Sequence, residues 1–311
     1  MRFAVEPWAP DYGAPAPIAP SQAQVDVAVE VPAGLWAPLG SAMRRAESVA
    51  FVDGVRRVDA QVWVTGADGQ TRPGLCASYA AGVVRCDSAA AIEHVEVRRE
   101  VLSPVGDLEA IHTRHVTYAP RVRPGDSPEL LAQMVQQRMR DLEVDVTARA
   151  SAADLLVVDG PLRGRQDLAH TVGLVKTHQV AYLPAEVAGV VGRLAPGERT
   201  PLFVMATSWS RFSSYLRLPG PNGHQWAGIV RIEISANLPV IQARRLADLA
   251  AATLPAFASA AHKDPRAPQN LYPIGGLERL LRRRLGDPTL LFRSLQAAAT
   301  TSGLLVLARA G

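Results

Sequence analysis

Two short apolar runs, each followed at once by an aspartate and a glycine, constrain the fold most strongly. The first run covers residues 48–52 and precedes Asp53 and Gly54; the second covers residues 155–158 and precedes Asp159 and Gly160. Short apolar runs without polar alternation are typical of strands buried on both faces, and Asp-Gly is typical of a turn. We therefore predict two buried strands, each ending in a carboxylate at a turn.

Together the two aspartates suggest a metal site. Carboxylates that lie close together repel each other unless a proton or a divalent cation sits between them. Glu143, on the helix predicted between the two strands, adds a third acid, although Asp141 or Asp145 could serve instead. Since Mg²⁺ and Mn²⁺ prefer oxygen ligands, the hypothesis is a two-metal site held by Asp53, Glu143 and Asp159. The alternatives are ordinary turn chemistry for each Asp-Gly and a solvated helix face for Glu143.

Composition narrows the class of protein. The chain has 311 residues, 48% of them hydrophobic, so one large core is expected. The net charge is +4 and arginine far outnumbers lysine, which fits a polyanionic partner but also fits an arginine-rich solvated surface. The two cysteines, Cys76 and Cys86, make no disulfide framework, and neither a signal peptide nor a membrane-crossing apolar stretch is evident. These features predict a soluble cytoplasmic protein.

The order of predicted elements indicates an α/β fold. Residues 1–25, rich in Pro and Ala, are predicted as an irregular arm, and residues 26–311 as one domain. Ser127 and Pro128 predict a helix start. The remaining predictions are a β-meander over 48–102, a strand ending at 159, a helix over 166–175, strands over 201–206 and 226–235, and C-terminal helices over about 239–261, 274–285 and 288–309. This order is that of a ribonuclease H-like mixed sheet flanked by helices.

Six segments in this order carry a family resemblance. They are residues 51–54, 138–143, 157–162, 172–177, 230–233 and 271–273. From about residue 46 to 290 the chain resembles the NurA nucleases, which process DNA ends beside the hexameric ATPase HerA. The resemblance implies a Mn²⁺- or Mg²⁺-dependent exo- and endonuclease of DNA ends and single strands, a homodimer, a HerA-like ATPase partner, and a role in DNA end resection, repair or defence. Val55 stands where the family often has a polar residue after Asp-Gly.

Three further residues receive candidate catalytic roles. Lys176 is a candidate for neutralising the scissile phosphate, and His178 for orienting or protonating a reacting group. The alternatives are a helix C-terminal cap for Lys176 and an incidental position for His178. The resemblance implies an acid or histidine on the helix after Tyr272 and Pro273, and Glu278 is the nearest candidate for this fourth ligand.

Basic and aromatic residues provide candidates for DNA contact. Arginines follow both Asp-Gly pairs, as expected of a site that binds phosphates, and Arg211 with Tyr215 would suit stacking on single-stranded DNA. Ordinary loop polarity and strand packing are the competing interpretations. The candidates are Arg56, Arg57, Arg163, Arg165, Arg211 and Tyr215.

Two other functions compete with that of an active nuclease. The first is a catalytically weak or inactive nuclease-fold subunit that binds DNA within an ATPase assembly. The second is a hydrolase of another phosphate ester. No Walker-type phosphate loop follows a strand in the sequence, so any ATPase motor is expected to be a separate protein.

Overall fold

The computed structural model describes residues 19–20, 23–123, 125, 127–178, 180–220 and 224–310, without the side chains of residues 19–20 and 302–310. Most of the predicted N-terminal arm lies outside these residues. Its predicted boundary at residue 25 falls inside a strand, because residues 24–26 pair with a strand from the middle of the chain.

Thirteen strands and five α-helices are distributed along the described residues. The strands are β1 (Ala19–Pro20), β2 (Gln24–Asp26), β3 (Val49–Thr65), β4 (Thr71–Cys86), β5 (Ala90–Ser103), β6 (Ile111–His112), β7 (Thr117–Val122), β8 (Leu155–Asp159), β9 (Thr171–Val175), β10 (Val180–Ala181), β11 (Phe203–Ala206), β12 (Ser210–Arg217) and β13 (Ile229–Ser235). The helices are α1 (Pro128–Ala148), α2 (Ala185–Arg193), α3 (Val240–Thr253), α4 (Tyr272–Arg284) and α5 (Pro288–Ala310). Among the described residues, no helix is long and apolar enough to span a membrane.

The chain divides into two compact units. The first unit comprises residues 1–52, 84–92 and 150–276, and the second comprises residues 53–83, 93–149 and 277–311. Strands β3, β4 and β5 each contribute residues to both units. The prediction of one domain over residues 26–311 stays a prediction.

The first unit contains a mixed sheet. Its strand order is β2-β11-β12-β13-β9-β8-β3, in which β8 is parallel to both β3 and β9 while the other pairs are antiparallel. Valines of α2 pack with Phe203, Tyr215 and Ile229 in a buried cluster. This arrangement confirms the α/β class.

The second unit contains a meander and two packed helices. Its strand order is β3-β4-β5-β7-β6, with β5 parallel to β7. Leu131 and Val135 of α1 are buried with residues of β4 and β5, and Leu295 of α5 is buried with Tyr118 of β7. Because α1 is anchored by its apolar face, the acids on this helix have a defined position relative to β3 and β4.

The structure corrects three sequence predictions. Strand β3 does not end at Asp53 but continues through Gly54 to Thr65. Residues 171–175, predicted as the end of a helix, are a strand between β8 and β13. A Cβ at Gly173 would lie 2.7 Å from the backbone nitrogen of Leu162, so this strand tolerates only glycine there. Helix α2 was not predicted.

Other helix predictions are confirmed. Ser127 caps α1, since its side chain accepts a hydrogen bond from the Leu130 backbone nitrogen at 3.2 Å, and Pro128 is the first helical residue. Helix α3 ends before its predicted limit because Pro255 follows in a short 3-10 turn. Helices α4 and α5 match the last two predicted helices closely.

Candidate functional site

Two of the three predicted acids lie in the second unit, Asp53 on β3 and Glu143 beside the next residue of that strand, Gly54. Asp53 and Glu143 are 8% and 6% exposed. The Glu143 carboxylate covers the backbone of Gly54, where an added Cβ would lie 2.3 Å from Oε1. Asp53 Oδ1 accepts a hydrogen bond from the Gly54 nitrogen at 2.7 Å. A strand residue without a side chain therefore lets an acid from α1 approach the backbone of β3 next to Asp53.

A buried ion pair orients helix α1, which carries Glu143. Arg138 of α1 donates two hydrogen bonds to Glu100 of β5, at 3.0 Å to Oε2 and 2.9 Å to Oε1, and Arg121 donates a third at 2.8 Å. Burial opposes ionisation of Glu100, but the bonds from the two guanidinium groups outweigh it, so the pKa of Glu100 lies below its usual range. This ion pair holds α1 in place at Arg138, about one helical turn before Glu143.

The third predicted acid lies in a polar cluster of the first unit. Asp159 ends β8, and Gly160 turns the chain there with φ +91°, as predicted. The buried ammonium of Lys176 is 2.6 Å from Asp159 Oδ2 and 2.7 Å from Asn270 Oδ1. Lys176 is thus an ion-pair partner of a predicted site acid, and its predicted alternative role as a helix cap is wrong because it follows a strand.

In the first unit, the strand register pairs the two apolar runs of the sequence with each other. In the first unit, β3 and β8 are parallel, and Val52 lies opposite Val158. Within the residues that the structure describes, no group of three or more His, Cys, Asp or Glu side chains is arranged to hold a metal ion. The three-acid metal site stays a prediction.

His178 has a packing environment rather than a catalytic one. Its ring lies 5.0 Å from the ring of Trp226 and 5.6 Å from that of Tyr215. Its Nε2 donates to the Ile229 carbonyl oxygen at 2.9 Å, because a carbonyl can only accept. Burial lowers the pKa of His178 to about 4, the Ile229 bond partly opposes this, and the charge of Arg231 adds to it. A neutral ring at pH 7 is a poor proton donor.

Tyr215 and Arg211, the candidates for stacking on single-stranded DNA, are both buried. Tyr215 is 1% exposed and stacks on Phe203 at 5.8 Å, so the prediction that it stacks on a base is wrong and strand packing explains it. Arg211 is 5% exposed; its Nε donates to Glu233 Oε1 at 2.9 Å and its guanidinium lies over the Trp209 ring.

The four arginines after the Asp-Gly pairs differ in environment. Arg57 donates to Asp59 Oδ1 at 2.7 Å and to the Gly286 carbonyl at 2.8 Å. Arg56 is exposed and bonds Gln136. Arg165 is buried, at 4% exposure, whereas Arg163 is exposed on the loop after Asp159. Arg56 and Arg163 are therefore the members of the set with access to a phosphate.

Glu278, the candidate fourth ligand, forms an ion pair within its own helix. Its Oε1 accepts from Arg282 at 2.8 Å, with side-chain exposures of 13% for the acid and 64% for the arginine. This is an i, i+4 pair on α4, which contributes a few tenths of a kcal/mol.

Sequence analysis missed the polar residues that surround Lys176. Asn270 Nδ2 donates to Asp264 Oδ2 at 2.6 Å, and Gln269 Nε2 donates to the backbone carbonyls of Lys176 and Ile229. Gln269 and Asn270 are 3% and 0% exposed. The one available signal was a polar pair directly before the Leu-Tyr-Pro that opens α4.

Comparisons with known proteins add a distant likeness. No protein-family model matches the chain, and no curated protein matches it. One similar solved structure is a variant of endonuclease V from Ciona intestinalis in complex with a 23mer DNA containing an inosine followed by a ribo-adenosine. The identity is 11% and the TM-score 0.32, over 78% of this chain and 90% of that chain. At this distance, the evidence for function comes from the residues of the chain itself.

Proposed function

We propose that the protein is a metal-dependent deoxyribonuclease with a ribonuclease H-like sheet, acting on DNA ends and single strands. The observation that carries the proposal is the approach of Glu143 to Gly54, the residue directly after Asp53. Asp53 and Glu143 come from distant parts of the chain, and both are nearly buried. Carboxylate oxygens are the ligands that hard divalent cations prefer.

The donor chemistry of this acid pair fits Mg²⁺ or Mn²⁺. Mg²⁺ commonly binds through one or two carboxylates and fills its remaining positions with water and substrate phosphate oxygens. Asp53 and Glu143 would hold such an ion, with Asp159 as the further predicted ligand. When bound, divalent ions in a two-metal site activate the attacking water and stabilise the leaving oxygen.

The residues of the chain supply the other parts of the reaction. Lys176 brings a buried positive charge to Asp159, 2.6 Å away, and we assign it the neutralisation of charge on the scissile phosphate. Arg163, exposed just after Asp159, would bind a neighbouring phosphate of the DNA backbone.

The partner proteins follow from the resemblance to NurA nucleases. We propose a homodimer that works with a HerA-type hexameric ATPase in DNA end resection, repair or defence. Since the sequence contains no Walker-type loop after a strand, the ATPase would be a separate chain.

One observation favours a second candidate function. Asp159 already has a cation, Lys176, against Oδ2. A carboxylate neutralised by lysine binds a metal ion less well, because the ion must compete with the ammonium. A subunit that binds DNA without cleaving it is therefore the alternative function.

The test compares wild-type protein with Asp53→Asn and Glu143→Gln on single- and double-stranded DNA, in Mn²⁺, Mg²⁺ or EDTA. We expect cleavage with a divalent ion, no cleavage in EDTA, and a loss of at least about 100-fold in each variant. Glu109→Gln, at an exposed glutamate, is the matched control. DNA binding without cleavage in either metal would refute the nuclease and support the binding subunit.

A further inference from the structure

A directional chain of hydrogen bonds in the first unit begins at Asp264 and ends at Asp159. Asn270 Nδ2 donates to Asp264 Oδ2 at 2.6 Å, Lys176 Nζ donates to Asn270 Oδ1 at 2.7 Å, and the same Nζ donates to Asp159 Oδ2 at 2.6 Å. Lys176, Asn270 and Asp264 are all at most 6% exposed, while the Asp159 side chain is 18% exposed. This series of hydrogen bonds thus runs from the interior to the partly accessible carboxylate of Asp159.

The chemistry of the groups fixes the direction of every bond. An ammonium only donates and an ionised carboxylate only accepts. Asn270 therefore has to direct its amide nitrogen at Asp264 and its oxygen at Lys176, and the reversed amide would break both bonds. Asp264 Oδ1 is also engaged, by the Arg266 backbone nitrogen at 2.8 Å. Each side chain in this hydrogen-bonded series is consequently held in one orientation.

The Lys176 ammonium has three donors, and two of them are used in this chain. Asp159 and Asn270 are the acceptors of Nζ among the described residues, which leaves one N–H of the ammonium for a further acceptor. A lysine side chain has four rotatable bonds and a large conformational entropy, which makes a free lysine a poor fixed donor. The bond to Asn270, the bond from Gln269 to the Lys176 carbonyl at 3.2 Å, and burial remove that freedom.

We propose that Asn270 and Asp264 are positioning residues, which hold the Lys176 ammonium against Asp159 and aim its remaining donor at a substrate phosphate. This inference rests on the proposed nuclease function and adds to it two residues outside the predicted acid set. A purely structural role would require only that the polar groups be satisfied. A positioning role requires this particular order of donor and acceptor.

Exchanging the two side chains tests that order. Asn270→Asp alone places two carboxylates where one bond of 2.6 Å now stands, and their repulsion displaces the contact to Lys176. The double variant Asn270→Asp with Asp264→Asn restores a donor on one side and an acceptor on the other. Asn237→Asp is a matched control, since Asn237 donates to Asp167 at 3.1 Å in an equivalent but exposed pair.

The readout is kcat and KM for cleavage of a single-stranded oligonucleotide in Mn²⁺, with thermal unfolding of each variant. We expect Asn270→Asp to lower kcat by about 10–100-fold, the usual range for residues that orient a ligand or reacting group, with KM little changed. The double variant should recover at least about 10-fold of that loss, and Asn237→Asp should match wild type.

Each outcome decides the proposal. Wild-type kcat in Asn270→Asp, or a double variant no better than the single one, overturns the positioning role. If Asn270→Asp fails to fold, the double variant decides alone: it must fold and cleave. Wild-type protein that cleaves nothing refutes the nuclease itself, whereas loss in Asp159→Asn with no loss in Asn270→Asp refutes only the positioning role.

Discussion

The Glu143 carboxylate occupies the space that a side chain at Gly54 would need, with Oε1 2.3 Å from the position of an added Cβ. Gly54 is not one of the glycines with a positive φ. A glycine is therefore needed here because Glu143 approaches the backbone closely, and not because the chain turns. β3 continues straight through this position to Thr65. A strand that carries both the acid and the glycine beside it thus leaves room for an acid from α1.

The first prediction concerns Gly54→Ala. Because the new methyl group would overlap Glu143 Oε1 and lie 2.9 Å from Cγ, the glutamate has to rotate away. We expect a loss of about 1–3 kcal/mol in the free energy of unfolding, the usual cost of overpacking, and a loss of at least about 10-fold in DNA cleavage. Denaturant unfolding and a nuclease assay measure the two effects.

Two further variants isolate the contact between the methyl group and Glu143. Gly40→Ala is the control for the substitution itself, since nothing lies within 4 Å of a Cβ at that position. Adding Glu143→Ala to Gly54→Ala should recover part of the lost stability, because the overlap disappears. If Gly54→Ala unfolds and cleaves like wild type, the position of the Glu143 carboxylate at Gly54 contributes to neither stability nor cleavage.

The elements that were predicted correctly are those with a signal in their own sequence. Ser127 followed by Pro128 located the start of α1, and the apolar run before Asp159 located β8. The error over residues 166–175 has a different origin. A short segment with a glycine fits a helix or a buried strand equally by periodicity, and Gly173 is required by the backbone of residues 160–162, a long-range contact with no local signal.

In the candidate site too, features with a local sequence signal were predictable and features set by long-range contacts were not. The acids were predictable because each stands beside a recognisable apolar pattern, whereas Asn270 and Asp264 belong to an irregular segment before α4. The environments of the arginines were also not predictable, because Arg57 finds its partners in Asp59 and in the carbonyl of Gly286, more than two hundred residues away. Sequence patterns identify charged side chains, but burial decides which of them can meet DNA.

The second prediction separates Arg163 from Arg57 in DNA binding. Arg163 is exposed, while the Arg57 side chain is 23% exposed and bonded to an Asp59 carboxylate that is fully buried. Each phosphate contact contributes about 0.9 to the slope of log K against log salt on duplex DNA. Arg163→Gln should reduce this slope by about 1 and weaken binding uniformly across sequences.

Arg57→Gln should leave the salt slope unchanged and destabilise the fold. Asp59, the carboxylate that pairs with the Arg57 guanidinium, also accepts hydrogen bonds from Ser78 and Tyr118. Removal of one partner of a buried ion pair costs about 3–5 kcal/mol when the remaining charge is left uncompensated; these two hydroxyl groups should keep the loss toward the lower end. Equal salt slopes for wild type and Arg163→Gln would rule out a phosphate contact by Arg163.

The third prediction concerns Glu278. Since its carboxylate pairs with Arg282 of the same helix at 2.8 Å, we expect Glu278→Gln to retain cleavage within about 3-fold of wild type, and to lose the few tenths of a kcal/mol that this helical ion pair contributes. Glu143→Gln, assayed beside it, should lose most activity. A loss in Glu278→Gln as large as that in Glu143→Gln would restore Glu278 as a metal ligand.

The fourth prediction is a pH dependence of stability that arises from His178. Burial lowers the pKa of this histidine to about 4 in the folded protein, against about 6.5 in an unfolded chain. Between these values the unfolded state binds the proton and the folded state does not. The free energy of unfolding should therefore fall as the pH drops from about 6.5 to about 4, by up to about 3 kcal/mol from this residue, and change little above pH 7.

His178→Phe isolates this contribution, because phenylalanine can pack against the neighbouring rings of Tyr215 and Trp226 but binds no proton. Urea unfolding of wild type and variant at several pH values from 7.5 to 4 gives a difference curve in which the carboxylates cancel. The wild type should lose stability relative to the variant across that interval, while His115→Phe, at an exposed position, should follow wild type. Parallel curves for wild type and His178→Phe would mean that His178 accepts a proton in the folded protein as readily as in the unfolded chain, which would return it to consideration as a proton donor.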